Sequence, residues 1–201
     1  MAGFKKHLLA SEGYSFVKNL LTCLIVPVII LFSGCTREFS PEEYVEWVRD
    51  YENGLHVRQD VNELVFDLQY KPDDLVRLER SKNATQDSLK YFTLKIGAPN
   101  QPDLLHHGTS DPIAVQENLY YYSYLFQDNI FIEYRGVKFP CVLYHFERLA
   151  DSKNMCVFNL GFEAPAFGDD DTIHLEITSE KLYSLPVRLK ITHHNVPKLQ
   201  I

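Results

Sequence analysis

Apolar side chains that recur at every second position direct most of this chain into sheets. Leu64, Phe66, Leu68 and Tyr70 fall on one side of an extended segment, with Val65, Asp67 and Gln69 on the other. That is the period of a strand with one face on a core. Asp60-Val61-Asn62 interrupts the pattern as a turn, so strands are predicted over residues 55–59 and 63–70. Further strand-like runs cover 90–96, 118–126, 129–135, 137–146, 155–162, 172–178 and 187–193. Arg135-Gly136-Val137 and the polar stretch from Ala150 to Asn154 read as turns between neighbours. The fold class these runs predict is mainly β, an antiparallel β-sandwich or a partly open barrel, and α+β overall once the short helices are added.

The clearest helix start is Ser40-Pro41-Glu42-Glu43. Ser40 suits the N-cap, Pro41 the first helical position, and Glu43 closes a capping box. Tyr44, Trp47, Val48 and Tyr51 then share one face at helical spacing, and Asn53-Gly54 stops the helix. That face, with the single tryptophan, is predicted to pack on a sheet. Pro72-Asp73-Asp74 opens a second, short helix through Arg80, because acids favour the positive end of the helix dipole. Residues 179–185 suit one helical turn before Pro186, and residues 81–88 are a polar break. Residues 97–117 form the longest irregular region, and loops of that length are often functional.

The amino-terminal segment carries an address. Lys5, Lys6 and Lys18 precede an apolar run of 13 residues from Leu20 to Phe32, and Leu31-Phe32-Ser33-Gly34-Cys35 closes it. The run is shorter than the roughly 20 residues of a membrane-spanning helix, and Pro27 interrupts it. The segment resembles a bacterial lipoprotein signal, with Phe32 where leucine is usual. That resemblance implies a diacylglycerol on the Cys35 thiol, cleavage before Cys35 and acylation of the new amino terminus. A plain signal peptide cut nearby and an uncleaved anchor are the competing readings. The predicted organisation is a signal over residues 1–34, a lipid-anchored tether over 35–39 and one globular domain over 40–201. The long stretch before the apolar run leaves open a translation start downstream of Met1.

Removing residues 1–34 takes away three lysines and one glutamate and leaves 17 basic and 26 acidic side chains, a formal charge of −9. Such a chain lacks the basic face that a binder of phosphate backbones needs, so no nucleic acid partner is expected. Two cysteines remain beyond Cys35, namely Cys141 and Cys156. In a symmetric hairpin over 140–162, Cys156 faces about His145 and Cys141 about Leu160, which holds the sulfurs roughly 13 Å apart at 3.3 Å per residue. That spacing disfavours a disulfide.

Candidate chemistry is sparse. The motifs GxSxG, HExxH, GxGxxG and the P-loop are absent. His106-His107 and His193-His194 offer imidazoles, but adjacent histidines on an extended chain point apart, so no metal is expected. Asp169-Asp170-Asp171 does not alternate its acids as a calcium loop does, and reads as a charged turn. A Cys156–His145 pair would be the beginning of a nucleophile, with no acid or oxyanion loop to complete it. Neither a catalytic residue nor a cofactor is therefore expected. Tyr120, Tyr122 and Tyr124 alternate along the predicted strand and would share one face, where an exposed row could stack on sugars or meet a protein.

Phe66-Asp67-Leu68-Gln69-Tyr70-Lys71-Pro72 and Cys141-Val142-Leu143-Tyr144-His145-Phe146-Glu147-Arg148 resemble segments of uncharacterised lipoproteins from Bacteroidetes bacteria. The resemblance implies an envelope lipoprotein of mixed or mainly β structure, held in the outer membrane through acyl chains on Cys35. It carries no activity, cofactor or catalytic residue with it. The function expected is a non-enzymatic, lipid-anchored envelope protein that contacts another protein through its aromatic face or its long loop. The alternatives are a lipoprotein that binds a glycan or other small ligand and, third, a hydrolase with a noncontiguous site.

Overall fold

A computed structural model describes residues 38–80, 88–148 and 154–200. The signal segment and Cys35, the polar break at 81–87, and residues 149–153 of the turn ending at Asn154 lie outside the described residues. The first elements are β1 (Glu38–Phe39) and α1 (Pro41–Arg49). The capping box is present: the Glu43 N–H donates to Ser40 Oγ at 3.3 Å, and the Ser40 N–H donates to the Glu43 carboxylate at 3.0 Å. Two of the helix's orphan donors are thereby satisfied. Tyr44 and Val48 are buried and Trp47 packs against the same core, as expected, but the helix ends at Arg49 and Tyr51, in the tight turn that follows, is 49% exposed and leaves that face.

Eight strands follow: β2 (His56–Val61), β3 (Leu64–Lys71), β4 (Lys90–Gly97), β5 (Ile130–Tyr134), β6 (Val137–Arg148), β7 (Met155–Phe162), β8 (Asp171–Ile177) and β9 (Val187–His193). They lie side by side in the order β2-β3-β4-β7-β6-β5-β8-β9, every pair antiparallel. A two-residue strand, β10 (Lys198–Leu199), pairs in parallel with β1.

The sheet curls into a nearly closed barrel, the more closed of the two architectures expected. β6 makes the corner. Its first four residues pair with β5 and the rest with β7, with a bulge between Cys141 and Leu143, the usual device for bending a strand between sheet faces. The two edges meet where the Thr192 N–H donates to the Gly54 carbonyl at 3.0 Å. Gly54 has φ +78°, and a Cβ there would lie 2.9 Å from the Thr192 oxygen. The glycine that stops α1's continuation is thus also what lets the barrel edges approach.

Inward-facing side chains fill the barrel in cross-strand rows. One row runs Leu68, Leu94, Phe158, Phe146; the next runs Tyr70, Phe92, Leu160, Tyr144. Leu68, Leu94, Phe158, Phe92 and Leu160 are fully or almost fully buried. One end of the barrel is bordered by α1, by α2 (Asp73–Glu79), and by the segments after β7 and β9. The other end is covered by residues 98–129, which include α3 (Pro112–Tyr120).

Two expectations are corrected by this arrangement. Residues 118–126 are not a strand: α3 runs on into a wide helical turn at Tyr121–Leu125 and a tight one at Phe126–Asn129. The irregular stretch of 97–117 accordingly ends at Asp111, whose side chain caps α3 by accepting the Ile113 N–H at 3.1 Å. The hairpin register also differs. Cys156 faces Arg148 and His145 faces Asn159: every pair from Leu143–Gly161 to Arg148–Cys156 is offset by three residues from the symmetric hairpin, and the bulge alters only the Cys141 end.

Candidate functional site

The tyrosines expected to share a face are divided by the helix. Tyr122 is 1% exposed, while Tyr120 and Tyr124 are 57% and 69% exposed. On a helix, positions two apart lie on different sides, and positions four apart lie together. Tyr122 turns inward against Phe126 and Phe158, with ring centroids 5.4 and 6.2 Å away. Tyr120 and Tyr124 touch each other outside, 5.3 Å between centroids. Ile113, one residue into α3 and 71% exposed, extends the same stripe by two turns. The aromatic face is therefore real but consists of Ile113, Tyr120 and Tyr124, with Gln116 and Glu117 between them.

The paired-residue chemistry raised by the sequence is not assembled. Cys156 points into the core and His145 lies on the outside, bonded to Glu147 at 3.3 Å. Cys141 and Cys156 are free and buried, and burial pushes their thiols up to about 12 and about 11. At neutral pH both are uncharged, which makes them poor nucleophiles. His106 Nδ1 donates to Asp103 at 2.7 Å, and Asp103 also accepts from Arg148 at 2.7 Å. Burial alone would raise the Asp103 carboxyl; those two bonds outweigh it and hold the group below its ordinary range. His194 pairs with Asp170, and Asp171 turns back to accept from the Tyr134 hydroxyl at 2.6 Å. Among the described residues no three His, Cys, Asp or Glu side chains converge as a metal would require.

A second ionic cluster lies on the outer side of β2 and β3. Asp67, almost fully buried, accepts from the Tyr51 hydroxyl at 2.7 Å and pairs with His56 Nε2 at 3.0 Å. Tyr51 stacks on the His56 ring at 3.9 Å, and His56 Nδ1 lies 2.6 Å from the Arg49 carbonyl. Burial pulls the Asp67 carboxyl up, but the bonds from His56 and Tyr51, helped by the Lys95 charge, bring it below its ordinary 3.8. A folded-state value below the unfolded one means the carboxylate adds stability above pH 4 or so and loses it as pH falls through the lowered value. Asp67→Asn is accordingly expected to unfold at lower urea than the unaltered chain at pH 7, with the gap narrowing by pH 3. A gap that stays constant between those pH values would show that the Asp67 charge does not matter.

The barrel end bordered by α1 and α2 holds a cleft of about 260 Å³. Tyr70 and Lys90, the inward residues at the ends of β3 and β4, and His193, the last residue of β9, converge on it with Tyr44 of α1 and Phe167. Lys90 is already committed, binding both oxygens of Asp73 at 3.0 and 3.1 Å. Tyr70 packs edge-on against Phe167 at 5.2 Å and against His193 at 6.0 Å. Sequence reasoning placed Tyr70 on the core stripe but missed the cleft, because its partners come from strand ends far apart in the chain. No protein family, curated protein or solved structure matches the chain.

Proposed function

We propose that this chain is a non-enzymatic envelope lipoprotein, anchored by acyl chains on Cys35, that works by docking another envelope protein on its α3 face. The observation that carries the reading is the exposed Ile113–Tyr120–Tyr124 stripe, on a helix whose other side packs the half-buried Val115 and Leu119 against the core. Tyrosine is among the residues that dominate protein interfaces, because it offers a large rigid surface with a polar tip. A rigid helix with anchors at such spacing fits a groove on the partner. The net acidic mature chain, with Glu117 inside the stripe, favours a partner whose groove is apolar with a basic rim.

The test is affinity purification of the tagged protein from gently solubilised envelopes, in the unaltered form and as Tyr120→Ala/Tyr124→Ala. One stoichiometric partner is expected with the unaltered protein. The double substitution is expected to remove it, since each interface anchor of this kind contributes on the order of 2 kcal/mol. The melting temperature should move little, because both rings are already exposed. Retention of the partner by the double variant would refute the docking surface.

A further inference from the structure

We infer that the cleft at the barrel mouth is a binding site for a neutral, hydroxylated ring of about the size of one monosaccharide, held by the Tyr44 and Tyr70 hydroxyls. The inference is independent of the docking face, since neither Tyr120 nor Tyr124 lines this cleft.

The starting point is a pair of tyrosine hydroxyls that open onto the cleft. Tyr44 and Tyr70 are 1% and 3% exposed, yet neither hydroxyl has a hydrogen-bond partner among the described residues, although both residues line the cleft. Neither hydroxyl oxygen is among the fully buried polar atoms left without a partner, so both reach the cleft, where water or a ligand can bond them. Half-buried Tyr121 and buried Tyr134 bond protein side chains, Ser179 and Asp171, whereas the buried Tyr122 hydroxyl has no hydrogen-bond partner among the described residues. Two otherwise buried phenols that open onto one cleft are placed to bond a group that enters it.

The remaining polar groups define that group's chemistry. His193 Nδ1 lies 3.0 Å from the Gly168 carbonyl, which can only accept, so Nδ1 donates and Nε2 is left without a hydrogen-bond partner among the described residues. Asp169 lines the cleft and makes no hydrogen bond or ion pair among the described residues, a free acceptor. The one ammonium, Lys90, is neutralised by Asp73, and Asp74 is taken by Arg77. No uncommitted lysine or arginine is left at the cleft to hold an anionic ligand. The Asp169 carboxylate, the unpartnered His193 nitrogen and two hydroxyls that can both donate and accept match a ligand bearing several hydroxyls. The apolar wall of Phe167 and Pro197 suits the C–H face of a ring. The cleft volume falls below the roughly 300–1,000 Å³ of sites for drug-sized ligands, which limits the occupant to a single ring.

The test is calorimetric titration of the full chain in detergent with common hexoses and N-acetylhexosamines, and with tetramethylammonium chloride as the cationic counterpart. At least one sugar is expected to bind at one site per chain, weakened about tenfold by Tyr70→Phe or Tyr44→Phe, each of which removes a single oxygen. Without ligand, Tyr70→Phe should melt close to the temperature of the unaltered chain, because the hydroxyl bonds no protein group among the described residues. Three results would overturn the inference: no sugar binding at tens of millimolar, sugar binding that ignores both substitutions, or binding of the cation in place of sugars.

Discussion

Phe158→Ala is expected to destabilise the protein by about 3–5 kcal/mol, enough to unfold a large share of it at ambient temperature. Phe158 is fully buried on β7 and lies where two parts of the molecule meet. From the helical side come Phe126 and Tyr122, with ring centroids at 5.1 and 6.2 Å; from β6 come Phe146 and Tyr144, at 5.2 and 6.0 Å. Removing the ring deletes its transfer energy and leaves a cavity whose walls are held by the barrel on one side and by the 121–129 turns on the other. Neither wall can collapse freely, which places the cost in the upper part of the range for such truncations. Urea unfolding followed by the near-ultraviolet signal of the tyrosines measures it. A loss below about 1 kcal/mol would mean that the helical segment does not pack on the barrel as described.

The second large effect concerns the anchor proposed at Cys35. Each methylene buried in a bilayer contributes about 0.8 kcal/mol, so two or three acyl chains make attachment effectively permanent, and a single atom, the Cys35 sulfur, starts their addition. Cys35→Ala is therefore expected to move the protein from an attached to an unattached state or to leave it as uncleaved precursor. Fractionation of envelopes, with mass spectrometry of the mature amino terminus, reads both. If the Cys35→Ala chain were still cut at the same bond and still sedimented with the membrane, the lipid anchor would be excluded.

The strands of this protein were largely legible because their inward residues alternate without interruption, as in Leu64, Phe66, Leu68 and Tyr70. The α1 boundary was legible for a local reason as well: cap, proline and glutamate interact within four residues. The misreading of 118–126 has a physical cause. Over a short aromatic stretch, a period of two and one of 3.6 predict overlapping sets of apolar positions. The deciding signal lay upstream in Asp111-Pro112, an N-cap followed by the residue best suited to the first helical position, inside what was read as loop. Leu119, Tyr122 and Phe126, spaced at three and four, are the set that faces the core. The β6–β7 register was not legible in the polar stretch between the strands, because the pairing next to it is already offset from the symmetric one at Arg148–Cys156, and the bulge at Cys141 changes only the far end. The barrel-mouth cleft was beyond sequence reasoning altogether. It joins Tyr44, Tyr70, Lys90, Asp169 and His193 through closure of the sheet at Gly54 and Thr192, which no local spacing encodes.

The exposed Ile113 offers the most direct measurement of the central claim, that the α3 face docks a protein. A photoreactive amino acid placed at position 113, in cells producing the full chain, would be irradiated and the product identified by mass spectrometry, with Arg58 on the outer face of β2 as the comparison site. The account predicts a single protein adduct from position 113, not seen from position 58 and lost when Tyr120 and Tyr124 are both alanine. Absence of any protein adduct from position 113, or the same adduct from both positions, would contradict it.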